Sequence, residues 1–331
     1  MSKTFKALQS EETDGKFKIS VVTRSTDELP EGDVLIKVHY SSLNYKDAMS
    51  ATGNKSITRV YPHTPGIDVA GTVEESSVAD WKHGDDVIVT GFDLGMNTSG
   101  GFGRYVRVPA QWVVKLPEGL SLRESMIYGT AGFTAALSVQ AILKHGIKPG
   151  DGLIAVSGAT GGVGSVSVSI LSHLGYRVAA ITSKESSHEF LKSIGASEII
   201  ARNEMEDSSG RPMLRSRFAA AVDTVGGTVL TTILKSLSYG GIVSACGLVN
   251  GTDLALTIFP FIIKGVQLAG IDSVNLQIEK RPPVWEALAT EWRPAALDEL
   301  VTEVSLEELP ERIDQILQGQ MTGRVLIDLW R

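Results

Sequence analysis

A single cysteine, Cys246, stands in a chain of 331 residues. It excludes an internal disulfide and any zinc site assembled from several cysteines, and it fits a reducing cytoplasm. Positive charge is also short: 31 Lys and Arg against 38 Asp and Glu leave a net charge of −7. No broad face is therefore expected to neutralise a phosphate backbone, and nucleic acid is not an expected partner. The N-terminus, Met1-Ser2-Lys3-Thr4-Phe5-Lys6, lacks the apolar run of a secretion signal. One 25-residue stretch, Gly152 to Tyr176, carries no Asp, Glu, Lys or Arg, but twelve of its residues are Gly, Ser or Thr. Two glycine clusters interrupt it, so it reads as a buried strand and helix, and no membrane association is expected.

What is present is an ordinary globular composition, 43% hydrophobic and 21% charged, long enough for about two domains. Up to about residue 120, short β-rich runs alternate with Pro, Gly, Asn and Asp: Val34 to Val38, Val69 to Val73, Val87 to Val89 and Tyr105 to Val108. This predicts a barrel-like β unit. Between 122 and 272 the pattern becomes strand and helix in alternation. Strands are expected at Leu153–Ser157, Val178–Ile181, Glu198–Ala201, Ala219–Val222, Ile242–Ala245 and Gln267–Ile271, with Cys246 placed in the fifth. Helices are expected at Val163–Leu174, Glu185–Ile194 and Val229–Leu237. The fold class is α/β, with a doubly wound parallel six-stranded sheet. After 273, a helix at Leu306–Leu317 and a strand at Arg324–Leu329 are too short to stand alone. The expected domains are 1–121 with 273–331, and 122–272.

Ser157-Gly158-Ala159-Thr160-Gly161-Gly162-Val163-Gly164 follows the first strand of that sheet and opens its first helix. There a pyrophosphate can accept the helix's unpaired N–H groups. No Gly-Lys-Ser/Thr follows, which disfavours a P-loop. About 20 residues on, where an NAD-binding protein places an acid on the ribose 2′-hydroxyl, stands Ile181-Thr182-Ser183-Lys184. Thr182, Ser183 and Lys184 suit a 2′-phosphate, and Arg202 past the third strand reaches the same corner. NADPH is the expected cofactor. The glycine string also fits the turn of short-chain dehydrogenases, but none of the seven tyrosines has the lysine four positions later that those enzymes need.

The order of parts resembles the medium-chain dehydrogenase/reductase superfamily, in which a GroES-like β-barrel domain precedes a Rossmann domain and a C-terminal return. The resemblance is carried by Ser42-Leu43-Asn44-Tyr45-Lys46-Asp47, Pro65 to Val73, Gly84-Asp85-Asp86-Val87, Gly100 to Val106 and Gly129-Thr130-Ala131-Gly132-Phe133-Thr134-Ala135. Zinc-dependent members have a Cys where this chain has Asn44 and Gly-His-Glu where it has Gly66-Ile67-Asp68. The six histidines, His39, His63, His83, His145, His173 and His188, show no metal-ligand spacing, so no metal is expected. Asn-Tyr-Lys-Asp, Tyr-Gly-Thr-Ala-Gly-Phe-Thr-Ala and a late Thr-Gly-Arg are most similar to the zinc-free acryloyl-CoA reductase group of the YhdH/YhfP type. By that resemblance Thr130 and Thr134 lie beside the nicotinamide and the backbone of Thr160, Gly161, Gly162 and Val163 holds the pyrophosphate. Leu248 and Ser273, at carboxyl ends of strands, join the cofactor site.

Without a metal Lewis acid, hydride transfer to an already electron-poor C=C needs least help. The expected reaction is NADPH-dependent reduction of an α,β-unsaturated acyl-CoA or related conjugated carbonyl. Asn44 and Tyr45 are the candidate donors to the developing enolate, or contacts to the cofactor, and Asp47 anchors their loop. A quinone reductase, or an NADPH-binding sensor without turnover, uses the same cofactor site. The sixth strand reads as an open sheet edge, which predicts a homodimer. Trp285, Trp292 and Trp330 read as core or interface packing. Arg59, Lys264 and Arg324 are the basic residues that could meet CoA phosphates.

Overall fold

The computed structural model describes residues 2–331. In chain order the elements are β1 (Thr4–Thr13), β2 (Lys16–Ser25), β3 (Val34–Ser42), α1 (Tyr45–Ala51), β4 (Asp68–Ser76), β5 (Asp86–Thr90), β6 (Tyr105–Val108), β7 (Val114–Lys115) and α2 (Leu122–His145). Strand and helix then alternate through β8 (Leu153–Ser157), α3 (Gly162–His173), β9 (Arg177–Thr182), α4 (His188–Ser193), β10 (Glu198–Ala201), β11 (Phe218–Asp223), α5 (Gly227–Lys235), β12 (Leu237–Ala245), α6 (Phe259–Lys264) and β13 (Gln267–Gly270). The chain ends with α7 (Pro282–Ala289), β14 (Val301–Ser305), α8 (Leu309–Leu317) and β15 (Arg324–Asp328). Two compact units result. One holds the residues through Thr130 with Val274–Ala289 and Val301–Arg331; the other holds Ala131–Ser273 with Thr290–Leu300.

The first unit is built on a seven-stranded sheet in the order β14-β15-β3-β4-β5-β7, with β6 also paired to β3. The last strand closes this sheet, because β15 runs antiparallel to β3 with Leu326 opposite Ser42. Alternation explains the core. Val34, Ile36 and Val38 turn to one side of β3, and pack with Leu8, Leu43, Phe102, Val106 and Ile327. From α8, Leu309 and Ile313, one turn apart, join the same cluster. Cutting the fully buried Phe102 back to alanine would cost about 3–5 kcal/mol.

The second unit carries a six-stranded sheet in the order β10-β9-β8-β11-β12-β13, parallel throughout. The strands β8, β9 and β11 at its centre are apolar on both faces, as helix-covered parallel sheets require. Ala155, Ala179, Ile181, Phe218, Ala221, Val243 and the α5 residues Val229, Ile233 and Leu234 form one cluster. Every expected strand is present, and Leu153–Ser157 and Glu198–Ala201 coincide with the expectation.

Departures from the sequence reading are local. The expected helix 185–194 is a 3₁₀ turn, Glu185–Ser187, followed by α4. The last helix starts at Leu309 because Glu308 first accepts the backbone N–H of Ser305 at 2.7 Å, forming a turn before Pro310 enters the helix. Cys246 lies one residue beyond β12 and not inside it, its N–H donating to Asp223 O at 2.9 Å. Burial pushes its thiol up to about 12, so it is no nucleophile at neutral pH. The β1–β2 hairpin was not anticipated; its Asp14-Gly15 turn, both residues at positive φ, is a recognised hairpin signal. Nor was α2. That helix is long and apolar enough to cross a membrane, but 72% of its most apolar window is buried inside the fold, which makes it a core helix.

Candidate functional site

In the first unit, the residues quoted from Ser42 to Asp47 form the end of β3 and the start of α1. Tyr45 opens α1 and is 48% exposed, its ring outward. Asn44, just before it, is turned inward. Its amide donates to Asp68 Oδ2 at 2.7 Å, Asp47 Oδ2 at 3.2 Å and the Ser42 carbonyl at 3.3 Å. Asp47 in turn accepts the backbone N–H groups of Asn44 and Ile67, both at 2.8 Å. It is an anchor, as expected, and burial pushes its carboxyl up to about 7, with the nearby Asp68 charge adding to the rise.

Asp68, which is not among the site residues expected from sequence, is the hub of this cluster. It is fully buried, and accepts from Ser42 Oγ at 2.5 Å, from the Asn44 amide, and from both the N–H and the hydroxyl of Thr130. The double contact to Thr130 depends on a break in α2 at Gly129, whose φ of 52° and ψ of −157° are not helical. The carboxylate thereby meets the first N–H of a fresh helical run, where negative charge is favoured. A Cβ on Gly129 would collide with Ser42 Oγ and stand 2.5 Å from Asp68 Oδ2, so the approach needs glycine. Arg324 completes the group. It is buried, and donates to Ile127 O at 3.0 Å and Ser42 Oγ at 2.8 Å. Burial lowers its pKa while the charges of Asp68 and Asp47 hold it up.

That placement corrects one expectation: Arg324 faces the interior and is unable to meet CoA phosphates. Lys264 is likewise committed, donating to Leu237 O at 2.8 Å and to Ser216 Oγ at 3.2 Å. Arg59 remains exposed. Trp285 and Trp292 are buried, whereas Trp330 is 42% exposed, donates to Val38 O at 2.7 Å and is flanked by Lys37 and Arg104.

In the second unit, the glycine string forms a tight turn from β8 into α3. Gly161 is the N-cap and offers no side chain to the first turn, so the leading N–H groups at Gly162, Val163 and Gly164 are left for a ligand. A Cβ on Gly164 would collide with the Gly158 carbonyl and stand 2.8 Å from Ala159 Cα, which shows how closely the turn is wound. Ser157 and Asp223 pin it to the next strand. Ser157 Oγ donates to Asp223 Oδ1 at 2.6 Å and receives the Thr224 N–H at 2.9 Å, and Gly226 N–H donates to Asp223 Oδ2 at 2.8 Å. Burial raises the Asp223 carboxyl pKa.

A cavity beside this turn brings five expected residues together: Thr160, Thr182, Ser183, Lys184 and Arg202, against apolar walls of Ile181, Val225 and Val229. Its lining holds two cations and no carboxylate. Burial lowers the Lys184 pKa, the signature of a partly desolvated cation. This donor set fits a phosphate monoester, and the helix start fits a pyrophosphate. The hydroxyls of Thr134 and Ser273 are 2.6 Å apart, so these two expected residues also meet. Leu248 stands apart from the cavity lining and is 66% exposed. Among the described residues, no group of three or more His, Cys, Asp or Glu side chains is arranged to hold a metal ion.

Comparison with known proteins agrees with both units. The alcohol dehydrogenase GroES-like domain family matches residues 30–118, and the zinc-binding dehydrogenase family matches 162–290. The acrylyl-CoA reductase AcuI of Ruegeria pomeroyi is 43% identical over 97% of this chain and 98% of its own length. A Bacillus subtilis protein named as a quinone oxidoreductase, YhfP, is 44% identical over 99% of this chain and all of its own; its crystal structure with NAD bound superposes with a TM-score of 0.96. The yhdH oxidoreductase of Salmonella enterica, solved in complex with NADP, is 44% identical, covers 98% of this chain and 99% of its own, and gives a TM-score of 0.95. The chain belongs to the medium-chain dehydrogenase/reductase superfamily, in the branch that holds YhfP and the acrylyl-CoA reductases AcuI.

Proposed function

We propose that the protein is an NADPH-dependent, zinc-independent reductase of the C=C bond in an α,β-unsaturated acyl-CoA such as acryloyl-CoA, or a related conjugated carbonyl. The single observation that carries the choice of cofactor is the carboxylate-free cavity that Lys184, after β9, and Arg202, after β10, both line. In this reading Thr160, Gly161, Gly162 and Val163 hold the pyrophosphate, and Thr182, Ser183, Lys184 and Arg202 hold the 2′-phosphate. Thr130, Thr134, Leu248 and Ser273 serve the nicotinamide end. When bound, the reduced nicotinamide supplies a hydride, which adds to the β-carbon of the acceptor.

The resulting negative charge gathers on the thioester oxygen, and the exposed Tyr45 hydroxyl donates to it. The α-carbon takes its proton from water. Asn44, with its amide hydrogens directed inward, positions Tyr45 instead of donating itself. In this reading residues 1–121 with 273–331 form the catalytic domain and 122–272 the NADP-binding domain. We further propose a cytoplasmic homodimer without membrane contact. Its support is the edge strand β13, exposed along most of its length, with Ile258, Ile262 and Ile263 also exposed nearby in sequence.

Oxidation of NADPH at 340 nm with acryloyl-CoA and with a simple quinone, each repeated with NADH, tests the proposal. Fast turnover on the thioester supports it. Turnover on the quinone alone makes the protein a quinone reductase, a reading the YhfP name favours. Tight binding with silence on both makes it an NADPH-binding sensor.

A further inference from the structure

Arg202 begins the 3₁₀ turn after β10, and its guanidinium is held from two sides. Nε donates to Glu206 at 3.1 Å, and one terminal nitrogen donates to the side-chain oxygen of Asn250. The two partners differ in consequence. Glu206 is a carboxylate one turn along the same segment, and it offsets the guanidinium's charge. Asn250 is neutral, so it orients the fork without offsetting its charge any further.

Asn250 is also firmly placed. Its backbone N–H donates to Val225 O at 2.8 Å, on the stretch just before α5. A Cβ on Gly227 would collide with the Asn250 carbonyl oxygen and stand 3.3 Å from its Nδ2. The segment after β12 therefore closes onto the glycine pair 226–227, and presents Asn250 to Arg202 across 48 residues of sequence. Val225, which receives the Asn250 N–H, lines the cavity that Arg202 and Lys184 share.

We infer that Asn250 is the positioning residue that aims Arg202 at the 2′-phosphate of NADPH, and so sets the preference for the phosphorylated dinucleotide from a loop outside the usual fingerprint. The inference rests on the reading of that cavity as a 2′-phosphate site. Without Asn250 only the single Nε contact to Glu206 would hold the fork, and a carboxylate in place of Asn250 would compete with the phosphate for it.

Calorimetric titration of the full chain with adenosine 2′,5′-bisphosphate and with adenosine 5′-monophosphate tests this without turnover. The wild type is expected to bind the bisphosphate more tightly. Asn250→Ala is expected to lower that preference about tenfold, close to the effect of Arg202→Ala, since one charge-assisted contact is misaligned. Asn250→Asp, of nearly the same shape, is expected to lower it further, and Asn250→Ala on top of Arg202→Ala to add nothing. A preference in Asn250→Ala and Asn250→Asp equal to the wild type, with both variants melting like the wild type, overturns the inference. A wild type that binds the two nucleotides equally overturns the 2′-phosphate reading and this inference together.

Discussion

Thr130 gives both its backbone N–H, at 2.9 Å, and its hydroxyl, at 2.5 Å, to the buried carboxylate of Asp68. One side chain from β4 therefore fixes where the helical run after Gly129 begins, and the same carboxylate holds the Asn44 amide that precedes Tyr45. Replacing Asp68 by alanine leaves the Thr130 N–H, the Ser42 hydroxyl and the Asn44 amide without this acceptor, and leaves buried Arg324 with less opposing charge. The expected loss is about 3–5 kcal/mol in urea unfolding, and turnover should fall with it. A loss under about 1 kcal/mol would contradict the hub role.

Gly129→Ala makes a sharper steric test. The new methyl group would collide with Ser42 Oγ in a backbone conformation unfavourable to L-residues. We expect a destabilisation of at least about 3 kcal/mol, read as a lower melting temperature or a loss of soluble protein. Gly146→Ala, also at positive φ but with open space around its Cβ, should cost less.

Lys184→Ala should raise the KM for NADPH by about tenfold or more, the size of one charge-assisted hydrogen bond, and change the KM for NADH far less. Equal effects on both would remove Lys184 from the 2′-phosphate site.

Asp47 predicts a pH signature. Its carboxyl is pushed up to about 7 in the folded protein, above the ordinary carboxylate value, so the folded state holds a proton that the unfolded chain has released. Its contribution to stability is therefore full below about pH 4 and lost as the pH rises through about 7. Against Asp47→Asn, which does not titrate, the wild type should gain stability as pH falls from 7 to 5, by up to about 1.4 kcal/mol per unit. A difference that stays constant over that range would contradict the assignment.

The glycine turn, the six strands and the cluster Thr182-Ser183-Lys184 were legible in the sequence because each is a local pattern: an apolar run, a turn and a helical period. The five residues brought into one cavity were among those read out. Asp68 was not, although its position was compared with the glutamate of zinc-dependent relatives. Its role arises from three strands, β3, β4 and β15, meeting a broken helix, and no spacing along the chain encodes that. Asn44 was read as a donor toward ligand because its residue type allows it; only the fold shows its amide spent on Asp47 and Asp68. Arg324 was counted among exposed bases for the same reason. The Asp14-Gly15 hairpin is different: its signal is local, an Asp-Gly pair between two β-rich runs.

The central claim is that a hydride passes to the β-carbon of an unsaturated thioester, and isotope transfer tests it most directly. Deuterated at the transferable position, NADPH incubated with acryloyl-CoA and the protein should yield propionyl-CoA with one deuterium on its β-carbon, seen by mass spectrometry and NMR. Product labelled at the α-carbon, unlabelled product, or no reduction of the thioester would contradict the account.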